Sequence, residues 1–226
     1  VVWMVVGWAI ALTLSGILTM RPSHAVDEPP VDGFSEAMTQ DSLAQDSSAQ
    51  AEFAAGVEHF QAERYGEAIA SWNQALTAYA PDEHQRSLVL SNLSLAHQHL
   101  GQWDAADQTL RASLAVFELQ PNAARTALDW NYYAKALNAQ GAFYWRQGQA
   151  DAALNAWEQA EHAYNSADDA QGMIGSRINQ AKALQSLGQS IAAEDLLQAT
   201  LAYTNQWMQH QNNPQLHILV LQSLGN

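Results

Sequence analysis

Four breaks, centred on Glu63, Gly101, Gly148 and Gly188, interrupt an otherwise continuous helical pattern at intervals of 38, 47 and 40 residues. Three of them read alike: LGQW at Leu100–Trp103, QGQA at Gln147–Ala150 and LGQS at Leu187–Ser190, each a glycine followed by glutamine. Glycine in such a place suits a helix C-terminus, where the backbone visits positive φ. In register with the breaks stand columns of matched size. Five residues after each break comes an alanine (Ala68, Ala106, Ala153, Ala193), and four later a bulky side chain (Trp72, Leu110, Trp157, Leu197). A small residue follows (Ala75, Ser113, Ala160, Thr200). Seven residues before each break lies another small column, Gly56, Ser94, Gly141 and Ala181, followed by the larger His59, His97, Tyr144 and Leu184. A repeat of about 40 residues built this way predicts a stack of helix pairs. Two antiparallel helices approach closely only where one offers a small residue to the other's ridge. The bulky residue then fills the space to the next pair, burying about 1.5–3 kcal/mol of apolar side chain per copy. A single pair leaves an apolar face open, so such pairs are stable only as an array.

The rest of the composition narrows the classes of function. Among 226 residues, 23 carboxylates outweigh nine Lys and Arg, for a net charge of −14. That balance argues against nucleic acid, which requires clustered cations, and against an anionic membrane surface. No cysteine is present, which removes disulfides, thiolate metal sites and cysteine nucleophiles.

Two segments precede the repeats. VVWMVVGWAIALTLSGILTM at the start carries no charge, a length that spans a bilayer, and Ser23-His24-Ala25 fits a small-residue cleavage site. Residues 1–25 are therefore expected to be a signal peptide, or an uncleaved membrane anchor. The expected location is outside the cytoplasmic face of the membrane: exported to periplasm, envelope or exterior, or anchored by residues 1–20. Residues 26–50 hold six carboxylates, no Lys or Arg, and Pro29-Pro30. They are expected to be a disordered acidic linker, because they offer too little apolar surface to offset their ordering entropy. The solenoid is expected over residues 51–226, as four repeats and the start of a fifth at Pro214, where Leu221, Leu224 and Gly225 reproduce an L-x2-LG pattern.

These columns resemble the tetratricopeptide repeat, with W-x2-L-G-x2-Y in its first helix and A-x3-F-x2-A in its second. The second-helix match runs through all four copies; the first-helix match is looser, with His59 and His97 where tyrosine is usual. The resemblance implies an all-α fold, an α-α superhelix of antiparallel helix pairs. It also implies a non-enzymatic scaffold that binds a protein or peptide in its concave groove, with no cofactor. The excess over the family's 34-residue unit is expected in longer helices, most clearly from Asn122 to Gln147. The long period and Ala/Gln-rich style behind a signal sequence resemble, more faintly, the repeat regions of cyanobacterial proteins that carry a caspase-like CHAT domain. That likeness implies an alternative: the regulatory repeat region of a larger enzyme whose catalytic part lies beyond residue 226. A fifth copy that stops inside its first helix leaves self-association as a further expectation.

Chemistry-bearing motifs are scarce. His97-Gln98-His99 does not share a helix face, and Glu158, Glu161 and His162 read as a solvated face, so no metal site is expected. Asn92-Leu93-Ser94 spells a glycosylation acceptor inside an expected packed helix. By family position the concave face comes from the first helix of each pair. It comprises Phe53, Val57 and Phe60; then Leu88, Ser91, Leu95 and Gln98; then Lys135, Asn138, Ala142 and Trp145, with Arg146 nearby; then Ile178, Lys182 and Gln185. Lys135 and Lys182 are the only lysines. Beside Asn138 they suggest a local preference for a partner carrying an acidic group.

Overall fold

A computed structural model describes residues 34–79, 83–118, 121–208 and 214–225. These form helices α1 (Phe34–Gln61), α2 (Tyr65–Ala78), α3 (Glu83–His99), α4 (Trp103–Glu118), α5 (Ala127–Arg146), α6 (Ala150–Ser166), α7 (Ala170–Ser186), α8 (Ser190–Met208) and α9 (Pro214–Leu224). Among the described residues there is no strand. Each helix packs on the next, and α5 also touches α3 and α7, so the first helices line up along one side. The molecule is an all-α solenoid of helix pairs α1/α2, α3/α4, α5/α6 and α7/α8.

The breaks are helix-terminating turns of one design. Gly101, Gly148 and Gly188 sit at φ 69°, 74° and 75°, and Glu63 takes the same left-handed conformation at 60°. In each turn an amide three positions past the last helical residue reaches back. The N–H groups of Arg64, Gln102, Gln149 and Gln189 donate to the carbonyls of His59, His97, Tyr144 and Leu184 at 2.8–3.0 Å. This is the Schellman closure, which satisfies carbonyls that the helix end would orphan.

The size-matched columns meet as expected, in two versions. Gly56 and Gly141 lie under the indoles of Trp72 and Trp157, where a Cβ would overlap the ring. Each indole N–H then donates to a first-helix carbonyl, Phe53 and Asn138 respectively, at 3.2 Å. In the second copy Ser94 donates from Oγ to the carbonyl of Ala106 at 2.9 Å. In the fourth, Ala181, Ala193 and Leu197 share one buried cluster. The tryptophans were expected as wedges between repeats. They sit in the notch of their own pair and also share buried clusters with Ala96 and Ala183 of the neighbouring pairs. Contact with the next pair falls also to a residue seven positions on: Tyr164 of α6 lies against Gly172 of α7.

Two boundaries differ from the sequence reading. Of residues 26–50, expected to be a disordered linker, 26–33 lie outside the described residues, while α1 starts at Phe34 and Ala49 is fully buried in the first core cluster. The packed end of α1 against α2 meets the nucleation cost, and upstream residues then add a hydrogen bond each. The long helix expected from Asn122 to Gln147 is instead a 3₁₀ turn at Asn122–Ala124 followed by α5 from Ala127. A capping box stops it: Thr126 Oγ1 accepts from Asp129 N, and Asp129 Oδ2 accepts from Thr126 N at 2.9 Å. The expected signal or anchor, residues 1–25, lies outside the described residues. Among the described residues no helix is long and apolar enough to cross a membrane.

Candidate partner-binding face

The first helices carry the residues expected to line a groove, and the structure puts them to two uses. Val57 is buried in the first core cluster, with Phe53 and Phe60 half-buried against it. Leu95 packs on Ala139, Ala142 and Phe143 across the α3–α5 seam. Gln98, only 2% exposed, donates from Nε2 to Ser94 Oγ and to the carbonyl of Ala139 at 3.2 and 3.3 Å. Ile178 is buried in the last cluster, and Ser91 is buried with its hydroxyl on the carbonyl of Leu88. Val57, Leu95, Gln98 and Ile178 thus pack helix against helix, while the Ser91 hydroxyl bonds within its own helix. Trp145 is half-buried, 6.0 Å from the Trp157 ring. Arg146 points across to His99 of α3.

The seam between α5 and α7 brings the polar candidates together. Asn179 Nδ2 donates to Asn138 Oδ1 at 3.4 Å, joining the two helices midway. Lys135 stands one turn before Asn138 on α5, and Lys182 about one turn after Asn179 on α7. Asn131 Nδ2 donates to Asp169 Oδ2 at 2.8 Å, while Asp169 caps α7 by accepting from Gly172 N. Lys135 is deeper than expected, 6% exposed, with Nζ 5.8 Å from the Tyr132 ring centroid. Burial lowers its pKa from the ordinary lysine value, and the Asp169 carboxylate partly opposes that. Lys182 is half-buried, and burial lowers its pKa too. Gln185 is exposed at the end of the same helix.

Asn131, Asn179 and Asp169 were not singled out from the sequence. A signal existed for Asn179: K-x2-N at 135–138 is mirrored by N-x2-K at 179–182. Among the described residues no group of three or more His, Cys, Asp or Glu is placed to hold a metal ion. Glu161, one of the carboxylates weighed for a cation, accepts from Arg177 Nε at 2.7 Å and from Gln180 Nε2 at 2.7 Å. Asn92 and Ser94 of the glycosylation-like triplet are both buried.

The architecture has solved counterparts. A putative kinesin light chain of Podosopora anserina with nearly identical TPR-like repeats superimposes with a TM-score of 0.56, at 19% identity, over 80% of this chain and 82% of that one. A point variant of that protein gives 0.59 at 17% identity, over 80% and 84%. The fold is that of a TPR-like solenoid. No family model and no curated protein matches the sequence. In TPR-like terms α1, α3, α5 and α7 are the first helices, so the α5–α7 amide bridge and its lysines belong to the first-helix side.

Proposed function

We propose that this TPR-like solenoid is a non-enzymatic scaffold that binds a segment of a partner protein along its first helices, favouring a segment with an acidic group. The observation that carries the reading is the cationic pair about the Asn138–Asn179 bridge. On a chain of net charge −14, Lys182 stands half-buried on α7, and among the described residues no carboxylate pairs with its ammonium. An unneutralised cation in a partly desolvated setting attracts an anion more strongly than a solvated surface lysine does. Lys135, deeper and beside Asp169, adds positive potential from behind. Asn138 and Asn179, buried and bonded to each other, fix the spacing of the two helices that carry the lysines.

Selection of a random peptide library on the immobilised chain tests this. Enriched peptides should be rich in Asp or Glu, and binding should weaken with added salt, as attraction between exposed charges does. Lys182→Ala should reduce their capture several-fold at low salt while the helical circular dichroism stays unchanged. Neutral peptides, or capture indifferent to Lys182→Ala, would sink the reading.

A further inference from the structure

The seam between α3 and α5 is tied at both ends by a histidine, and the two ties differ in sign. At the N-terminal end, His84 Nε2 faces a carboxylate, 3.4 Å from Asp129 Oδ1. At the turn end, His99 Nε2 lies 2.8 Å from Arg146 Nη2. A guanidinium has donors only, so Nε2 accepts with its lone pair and the neutral ring keeps its proton on Nδ1. The ring is also gripped by aromatics: stacked on Tyr65 of α2 at 4.2 Å and edge-on to Phe60 of α1 at 5.3 Å. This one side chain therefore joins the first, second and third helix pairs.

The groups facing His99 are Arg146 from α5, the Tyr65 phenol from α2 and the apolar Phe60 from α1. Glu63, in the α1–α2 turn, acts on Tyr65. Burial first, and Arg146 second, bring the His99 pKa down to about 4, and no carboxylate is among the groups that shift it. Arg146 is itself lowered by burial.

We propose that His99 is an acid-released latch: protonating its imidazole removes the acceptor for Arg146, sets two cations against each other and opens the turn end of the α3–α5 seam, while His84–Asp129 holds the opposite end. The second and third pairs then pivot, which changes the spacing of α3 and α5 on the first-helix side. The latch stands whether or not that side takes an acidic partner. A released His99 titrates near the ordinary value of about 6.5, whereas the latched ring titrates near 4. The open form therefore binds more protons in that interval. Closure is at full strength above about pH 6.5 and weakens as the pH falls towards 4.

The chain has no cysteine, so introduced pairs label uniquely. Asp104→Cys with Asp151→Cys reports on the turn end, at the exposed first turns of α4 and α6; Ala115→Cys with Asn165→Cys reports on the other end. Spin-label distances would be measured from pH 7.5 to 5.0. The turn-end distribution should lengthen and broaden below pH 6.5 while the other pair holds. The shift should vanish in His99→Gln, whose amide accepts a hydrogen bond but does not titrate, and persist in His84→Gln. An unchanged turn-end distance, or the same response in His99→Gln, overturns the latch. So does an NMR titration of His99 in the unsubstituted chain with a midpoint near 6.5, a measurement that needs no variant to fold.

Discussion

The first and third helix pairs solve the same packing problem differently from the second and fourth. In the former, glycine in the first helix admits a whole indole: Gly56 under Trp72, and Gly141 under Trp157. In the latter, Ser94 or Ala181 occupies that position and the facing residue shrinks to Leu110 or Leu197. Volume passes from one helix to the other while the backbone arrangement is kept. The indole also gains a hydrogen bond to a first-helix carbonyl that leucine cannot make. The two versions show that the repeat constrains the sum of two facing side chains rather than either residue. Neither partner of a Gly–Trp pair is thus free to vary alone.

The largest expected effect comes from emptying the notch. Trp157→Ala removes a side chain that is 2% exposed and should cost about 3–5 kcal/mol, read by chemical denaturation. Leu197→Ala in the other version falls in the range of about 2–5 kcal/mol and should cost less than Trp157→Ala; a larger loss at Leu197 would break the comparison. Next comes overfilling. Gly141→Ala drives a methyl into the Trp157 ring and should cost about 1–3 kcal/mol despite alanine's better helix propensity. Adding Trp157→Leu converts the third pair to the second version, and the two changes should couple by about 1 kcal/mol or more in a double-mutant cycle. Additive losses would show that the columns do not exchange volume.

The smallest effect concerns the turns. Glu63 holds the left-handed conformation that glycine holds in the other three copies. Glu63→Gly relieves a strain of about 1–2 kcal/mol, partly offset by the entropy of a freer unfolded chain. A net gain of about 0.5–1 kcal/mol in the denaturation midpoint analysis is expected. A loss would mean that the Glu63 side chain contributes more than its backbone costs.

Much of the architecture was legible because each repeat restates the same size pattern. Ala68, Ala106, Ala153 and Ala193 are all fully buried, at the positions their spacing from the breaks implied. The start of α5 was legible in principle from Thr126 and Asp129, but the helical period running through Asn122–Arg125 masked it. The first-helix side was harder to read. Family position assigns Leu95, Gln98, Lys135 and Ile178 to the concave side, yet all four are buried. Their depth depends on how closely α3, α5 and α7 approach one another, a distance that no single helix encodes.

The sequence by itself determined the helix pairs, their order and the turns between them. Local rules act there: alanine at the crossing, glycine at positive φ, and a bulky residue one turn on. Tertiary structure decided which polar side chains meet. Asn138 finds Asn179, and His99 finds Arg146, across 41 and 47 residues of chain. Those meetings follow from the rise and rotation between successive pairs, small per-repeat quantities set by the summed packing of many side chains.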